Sequence, residues 1–306
     1  MQITYQEGTG ALCGDWALDK ELALLEEVGF EAVEIRSDRL TRYLAGHSIK
    51  ELRDFFASSR LRPICSGGTF LFPEMFLGKT PDEAEIDAQV VSRALASMDV
   101  AEKIGDSAYL VINHILNSSG SPFMQIDVLD QDYPYSRDQV TEFTARILKQ
   151  FCKLADDHGL NIAFEPVCSR GGSVKTMEHA LEIINATGCK NIGLCIDSFN
   201  QYTKDFDSDF SCYKVLPPEK IITAHINDAD DLPPGVLSPM DRRFCGQGVI
   251  DLDNFMQNLK DIGYDGPISV EALQFEYYKQ PLEWVIREAY RTTKELVDKY
   301  NNDIVE

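Results

Sequence analysis

The chain has 306 residues, 50 Asp and Glu against 29 Lys and Arg, a formal charge of −21 and 44% hydrophobic residues. A chain of this length can bury a hydrophobic core large enough to be stable without disulfide bonds or structural metal ions. The acidic excess repels phosphate backbones and anionic lipid, so the composition argues against nucleic-acid and membrane-surface binding. Solubility explains most of this charge, which by itself names no substrate.

The cysteines and the N-terminal residues indicate the compartment. The eight cysteines form no CxxC pair and have no regular spacing, and several lie in apolar runs. This usage is typical of free thiols in a reducing compartment. Residues 1–7 lack the basic and apolar regions of a signal peptide, and no apolar run approaches the length of about 20 residues that a membrane span needs. We therefore expect a cytoplasmic protein.

A repeated unit dominates the chain: a helical stretch ends at a glycine, and an apolar, β-rich run begins a few residues later. The glycines of this unit are Gly29, Gly105, Gly159, Gly188 and Gly263. Glycine ends helices because it adopts the left-handed conformation without a steric cost. The runs after them predict strands at residues 32–35, 109–112, 162–165, 192–196 and 268–271. Further apolar runs at residues 3–6, 62–66 and 221–226 complete a set of eight predicted strands.

Helical patterns separate the strands. They cover residues 19–28, 48–58, 80–104, 136–157, 173–186, 251–262 and 281–300, with a weaker pattern after Asp197. Ser48 and Glu51 form a capping-box pattern, and Pro81 suits a first helical turn. Short strands without polar alternation, each followed by a helix, are typical of parallel strands covered on the outside. Eight such units without a linker predict one α/β domain over residues 1–306, a single closed (β/α)8 barrel (TIM barrel).

Polar residues stand at the predicted carboxyl ends of the strands, where (β/α)8 barrels build their active sites. They are Glu34, Arg36, Asn113, His114, Glu165, Asp197, His225, Asn227, Asp228 and Glu271. Part of the acidic excess therefore falls at the barrel mouth instead of on a solvated face. His114 is a candidate substrate contact, although a structural hydrogen bond explains a histidine at a strand end equally well.

Four of these residues form the sharpest cluster, Glu165, Asp197, His225 and Glu271, with separations of 32, 28 and 46 residues along the chain. Each step spans about one βα unit, with a long loop before the last. Each acid alone could cap a helix or pair with a base, and His225 alone could be a core histidine. Three carboxylates that face one another, however, repel unless a cation neutralises them. The set therefore predicts a divalent metal ion; oxygen and imidazole ligands suit Mn²⁺, Mg²⁺, Co²⁺ or Zn²⁺, and the sequence does not choose among them.

Several segments of the chain carry a family pattern. They are residues 33–36, 163–165, 195–199, 223–228, 241–253, 269–271 and 276–279. These segments resemble the xylose-isomerase-like barrel superfamily of sugar isomerases and epimerases and, within it, the inosose isomerases (2-keto-myo-inositol isomerases) of inositol catabolism. The likeness spans nearly the whole chain; it is specific from Lys220 onward and looser between residues 66 and 160.

The resemblance implies one divalent metal held by Glu165, Asp197, His225 and Glu271, and a substrate contact from Arg242. Many relatives carry a substrate-contacting histidine three residues after the aspartate of the sixth strand, where this chain has Asn200. Asn200 can form a hydrogen bond there but cannot transfer a proton. Glu34 completes the predicted substrate-binding set of Arg242, His114, Asn200 and Glu34.

These parts predict proton transfer on a polyol ketone. The metal polarises a ketone and its neighbouring hydroxyl, and Glu165 or Glu271 removes the proton between them to give a cis-enediolate. Returning the proton to the other carbon isomerises the ketone, whereas returning it to the same carbon from the opposite face epimerises it. The leading hypothesis is an isomerase of a non-phosphorylated cyclic polyol ketone. A ketose 3-epimerase is second, and a dehydratase or lyase that uses the same enolate is third.

Two other classes share this barrel. An apurinic-site DNA endonuclease needs more histidines, at positions that here hold Asn200 and Arg243, and the charge of −21 opposes it. A metal-free binding protein that kept the barrel is the other class. Residues 230–243 and 281–300 are candidates for a lid or a subunit contact, so a homo-oligomer is an open expectation.

Overall fold

The computed structural model describes residues 1–14, 17–71, 78–113, 135–169, 172–234 and 236–301. The strands in these ranges are β1 (Gln2–Gln6), β2 (Ala32–Glu34), β3 (Arg62–Pro63), β4 (Gly68–Leu71), β5 (Ala108–Asn113), β6 (Asn161–Glu165), β7 (Ile192–Asp197), β8 (Ile221–Ile226), β9 (Asp228–Ala229), β10 (Arg242–Arg243) and β11 (Pro267–Val270). In this part of the chain, nine strands form one parallel sheet in the order β3-β2-β1-β11-β8-β7-β6-β5-β4. β9 and β10 form a separate antiparallel pair.

Two short strands, β3 and β4, together occupy the third strand position of the barrel. β3 pairs with β2, and β4 pairs with β5. Between them Cys65 has a φ of +47°, which turns the chain out of an extended path. The Gly67 N–H still donates to the Ile35 carbonyl at 2.7 Å, so the turn stays attached to β2. The prediction of one continuous strand over residues 62–66 is therefore wrong, while the eight-position (β/α)8 barrel is confirmed.

Helices cover the outside of the barrel. In the described ranges they are α1 (Leu18–Val28), α2 (Ser37–Leu44), α3 (Ile49–Ser58), α4 (Ala88–Ile104), α5 (Arg137–Asp156), α6 (Met177–Ala186), α7 (Ser198–Asp205), α8 (Leu252–Asp261), α9 (Phe275–Tyr278) and α10 (Leu282–Asn301). The predicted capping box of Ser48 and Glu51 opens α3. The glycines of the repeated unit all have positive φ, between 66° and 115°. None of the helices that the structure describes is long and apolar enough to cross a membrane.

The helix predicted from residue 80 to 104 is interrupted. Only a short 3-10 helix, Pro81–Glu83, follows the predicted start, and α4 begins at Ala88 with Asp87 as its cap. The break occurs because α5 binds the Ala84 carbonyl from the side: Arg146 Nε donates to it at 3.0 Å and Gln150 Nε2 at 3.1 Å. α6 likewise begins at Met177 instead of residue 173, because the Thr176 hydroxyl caps it by accepting the His179 N–H.

Candidate functional site

The four predicted metal ligands come from four neighbouring strands. Glu165 ends β6, Asp197 ends β7, His225 is the last but one residue of β8, and Glu271 directly follows β11. The sheet order places these strands side by side, so their carboxyl ends meet at one arc of the barrel mouth. The folding pattern thus converts residues that are far apart in sequence into one cluster.

The ligand atoms lie at distances that suit a shared cation. His225 Nδ1 is 3.3 Å from Glu271 Oε2 and 3.9 Å from Asp197 Oδ2. One ligand atom from each of these three residues lies within 4.8 Å of the others. Atoms bound at about 2.1 Å to one ion are about 3 to 3.5 Å apart. His225 is fully buried, and its Nδ1 has no hydrogen-bond partner among the described residues. A buried nitrogen without a partner, facing carboxylates, fits a divalent metal ion.

Glu165 lies on the β6 side of His225, where its ligand atoms form a second group with those of Cys195 and His225. It is 5% exposed, and its Oε1 accepts the Asn200 side-chain amide at 2.8 Å. Burial, together with the negative charges of Glu271 and Asp197, raises the pKa of Glu165 to about 8 in spite of His225. The Asn200 backbone N–H also donates to Asp197 Oδ1 at 2.7 Å, so Asp197 caps α7. Asn200 therefore links two of the predicted ligands at the start of α7.

Arg242 supplies positive charge to the acids. It lies on β10 and is 4% exposed, with its guanidinium 4.9 Å above the Phe199 ring. Its Nη1 donates to Glu271 Oε2, and its Nη2 lies 3.4 Å from Asp197 Oδ2. Burial alone would raise the pKa of Glu271, but the Arg242 charge, followed by that of His225, holds it well below the usual range. Glu165 and Glu271 are thus held in different protonation states by their surroundings.

The buried carboxylate of Asp228 anchors the turn that follows β10, the strand of Arg242. Asp228 accepts hydrogen bonds from the backbone N–H groups of Gly248 and Ile250, both at 2.8 Å. A Cβ on Gly248 would lie 2.1 Å from the Ala229 carbonyl oxygen. The turn of residues 246–248 therefore packs directly on β9, whose antiparallel partner β10 holds Arg242.

Glu34 lies beneath the cluster, not at its open side. It is 2% exposed; its Oε2 accepts His225 Nε2 at 3.0 Å, and its Oε1 accepts the Thr223 hydroxyl at 3.0 Å. The structure therefore brings Glu34 to a predicted metal ligand. His114, the remaining predicted substrate contact, lies outside the described residues.

Asn227, one of the polar residues predicted at the strand ends, donates from Nδ2 to Asp197 Oδ2 at 3.3 Å. Sequence reasoning missed two residues that touch the cluster, and one of them, Thr223, binds Glu34. Cys195 presents its sulfur within 4.8 Å of ligand atoms of Glu165 and His225. The available signal is the two-residue period of a strand: Thr223 and Cys195 each stand two positions before a predicted ligand and share its face.

A parallel (β/α)8 barrel with buried carboxylates and an imidazole at neighbouring strand ends defines a class of barrel enzyme with a candidate metal centre at its mouth. The chain belongs to the xylose isomerase-like TIM barrel family, whose model matches residues 22–294.

Proteins of known name that are similar to this chain indicate which kind of barrel enzyme it is. The chain is 30% identical to an inosose isomerase of Bacillus velezensis over 92% of this chain and 93% of that protein. A crystal structure of the IolI protein with a zinc atom has a TM-score of 0.82 and 27% identity, and the match covers 98% of this chain and 99% of that one. A 3-dehydroshikimate dehydratase of Pseudomonas aeruginosa is 27% identical over 86% of this chain but only 37% of that protein. These relatives identify an enzyme of the sugar isomerase and epimerase type.

Proposed function

We propose that this protein is a divalent-metal-dependent isomerase of a non-phosphorylated cyclic polyol ketone, an inosose isomerase or a near relative. The observation that carries the proposal is the buried Nδ1 of His225, which faces carboxylate oxygens of Asp197 and Glu271. Glu165 lies on the other side of His225, in a second group of possible ligand atoms. The named inosose isomerase relatives, which match over most of their length, supply the substrate class.

The donor set suits one hard or borderline divalent ion. Carboxylate oxygens and an imidazole nitrogen bind Mn²⁺, Mg²⁺, Co²⁺ or Zn²⁺, and we propose Mn²⁺ as the first choice. The zinc atom in the IolI structure supports a metal in a similar fold. When bound, such an ion would act as a Lewis acid that polarises a ketone and its neighbouring hydroxyl. The residues that would hold it are Glu165, Asp197, His225 and Glu271.

Glu165 and Glu271 are the proposed acid and base. Arg242 keeps the Glu271 carboxylate ionised at neutral pH, so Glu271 holds no proton of its own and can accept the one next to the ketone. Burial raises the pKa of Glu165 to about 8; a bound metal would displace the proton of Glu165, and the carboxylate that remains is the more basic of the two, so it can take up a proton from the substrate and return it. Pairs of carboxyl groups whose surroundings separate their pKa values in this way commonly divide acid and base roles.

The remaining groups favour a neutral polyol. Asn200 Nδ2 and the Arg242 guanidinium offer donors to hydroxyl and ketone oxygens, and we keep His114 as a third substrate contact. Buried carboxylates surround these donors, so an additional substrate phosphate would be repelled. This electrostatic argument favours a free polyol ketone over a sugar phosphate.

The test is product analysis with a panel of substrates. Protein loaded with Mn²⁺ is incubated with 2-keto-myo-inositol, a free ketohexose and 3-dehydroshikimate, and the products are identified by NMR. We expect a new inosose from the first substrate. Turnover of the ketohexose alone would indicate a ketose 3-epimerase, and dehydration of 3-dehydroshikimate alone would support the activity named for the Pseudomonas relative.

Substitutions in the site, compared with one on the surface, test whether the activity depends on the site residues. Glu165→Gln and Glu271→Gln are each expected to lower kcat by roughly 10²-fold to 10⁴-fold, because each removes a proton-transfer group. Each substitution also changes a proposed metal ligand, so kcat is measured at saturating Mn²⁺ and the metal content of each variant is determined. Glu276→Gln, whose carboxylate is exposed and pairs with Lys279, should retain the wild-type rate. Full activity in both site variants would refute the assignment of acid and base.

A further inference from the structure

Glu34 crosses the barrel to reach His225. It ends β2, whereas His225 lies on β8, and the sheet order places β1 and β11 between these strands. Its carboxylate nevertheless lies 3.0 Å from His225 Nε2. The contact therefore spans the barrel interior, below the level at which Nδ1 faces Asp197 and Glu271.

Both oxygens of Glu34 are used within the protein. Thr223 and His225 stand two positions apart on β8 and so point to the same face of the sheet. The Thr223 hydroxyl donates to Oε1 and His225 Nε2 to Oε2, each at 3.0 Å. With 2% of its surface exposed, Glu34 offers little to a ligand at the mouth.

We propose that Glu34 is a positioning residue that fixes the proton of His225 on Nε2 and turns Nδ1 toward Asp197 and Glu271. This inference replaces the substrate contact expected from sequence, and it rests on the proposed metal site.

The proposal follows from the donor chemistry of the pair. An ionised carboxylate can only accept a hydrogen bond, so Nε2 must carry the proton of the contact. A metal binds the neutral imidazole, so with the proton on Nε2 the lone pair would be on Nδ1, which is the nitrogen that lacks a hydrogen-bond partner among the described residues. A carboxylate behind a ligating imidazole also makes the imidazole a stronger donor to a metal. Thr223 holds the second oxygen, which fixes the plane of the carboxylate.

Cys195 is the competing partner for the ring. Its sulfur lies within 4.8 Å of ligand atoms of His225 and Glu165. Burial raises the pKa of the Cys195 thiol well above its usual range, so the thiol stays protonated and is a weak hydrogen-bond partner. Without Glu34 we expect the imidazole to lose its fixed orientation, because this thiol is a poor substitute for a carboxylate.

The test compares metal binding in four forms of the full chain: wild type, Glu34→Ala, Glu34→Gln and Glu7→Gln. Glu7 is the control for a buried carboxyl group at the end of a neighbouring strand: it directly follows β1, is fully buried, and accepts the Arg36 backbone N–H at 2.8 Å. Dissociation constants for Mn²⁺ and Zn²⁺ are measured by competition with a chelating indicator. The visible spectrum of the Co²⁺ form reports ligand geometry, and urea unfolding of the metal-free forms reports stability.

We expect Glu34→Ala to weaken metal binding by roughly 10-fold to 100-fold and to change the Co²⁺ spectrum. Glu34→Gln keeps an oxygen that accepts Nε2–H, so it should recover part of the affinity and a spectrum closer to wild type. Glu7→Gln should bind as wild type does. A role limited to stability would shift the urea midpoint and leave the Co²⁺ spectrum unchanged.

Two results would overturn the proposal separately from the proposed function. Wild-type affinity in Glu34→Ala, with an increase in KM alone, would make Glu34 a substrate contact. Equal losses in Glu34→Ala and Glu7→Gln would indicate a general effect of removing a buried carboxylate. Failure of the wild-type protein to bind any of the three metals would instead refute the proposed metal-dependent function, and the role of Glu34 with it.

Discussion

Replacing Arg242 with alanine should destabilise the metal-free protein strongly, because the substitution leaves two buried carboxylates without their cation. Arg242 Nη2 lies 3.4 Å from Asp197 Oδ2, and Nη1 donates to Glu271. At an effective dielectric constant of about 20, a charge pair at this separation is worth about 5 kcal/mol before desolvation. Removing one partner of a buried pair typically costs about 3–5 kcal/mol, and we expect a loss in this range for Arg242→Ala.

A bound metal ion should remove most of this loss. The ion would neutralise Asp197 and Glu271 in place of the guanidinium, which leaves mainly the lost contact of the guanidinium with the Phe199 ring, about 1 kcal/mol. Arg242→Ala should therefore lower the free energy of unfolding by at least about 2 kcal/mol more without metal than with it. By linkage, this difference means that Arg242→Ala binds the metal roughly 30-fold more tightly than wild type.

Urea unfolding with a chelator and with excess Mn²⁺ measures both effects. Arg243→Ala is the matched control, because Arg243 is the next residue on β10 and pairs with Asp230 in a more exposed setting, with 31% of its side chain accessible. Arg243→Ala should lower the free energy of unfolding by less than about 1 kcal/mol, both with the chelator and with Mn²⁺. An equal loss for Arg242→Ala with and without metal would refute the argument from buried charge.

Three further predictions concern the loop, the pH and the ion. Gly248→Ala should lower the free energy of unfolding by about 3 kcal/mol, since its Cβ would meet the Ala229 carbonyl oxygen at 2.1 Å, and an unchanged urea midpoint would contradict this packing. The pKa of Glu165 is raised to about 8, and in spite of burial the negative charges around His225 raise its pKa well above the usual range, so near neutral pH a metal must displace a proton from each; affinity should rise at least about tenfold per pH unit from 6 to 7, whereas a flat calorimetric profile would contradict the proton release. Chelation should lower Tm by about 4 °C relative to protein with metal at 100 times its Kd, as measured by calorimetry, and an unchanged Tm would count against a bound ion.

The candidate ligands could be predicted from the sequence because strand ends are local features. Each of Glu165, Asp197 and Glu271 closes or follows an apolar run, and the barrel topology brings consecutive runs together. The same logic located Glu34 near the mouth, whereas Arg242 was expected there from the family resemblance. Strand order and period therefore suffice to place a residue at the site.

The contacts between site residues could not be predicted in the same way. Whether Glu34 points up to a substrate or across to His225 depends on the width of the barrel and on Thr223, which no local pattern encodes. The amide of Asn200 binds Glu165, 35 residues away, for the same reason. The split third strand depends on the positive φ of Cys65, and β-rich composition does not indicate such a turn.

Hydrogen exchange in deuterated water tests the central claim most directly. Metal-free protein, prepared by chelation, and protein reloaded with Mn²⁺ are each incubated with 2-keto-myo-inositol in D₂O, and the reaction is followed by NMR. The account predicts a new inosose and exchange at the carbons next to the ketone in the reloaded sample, and neither change in the chelated one. Equal conversion in both samples, or no exchange and no product in either, would contradict it.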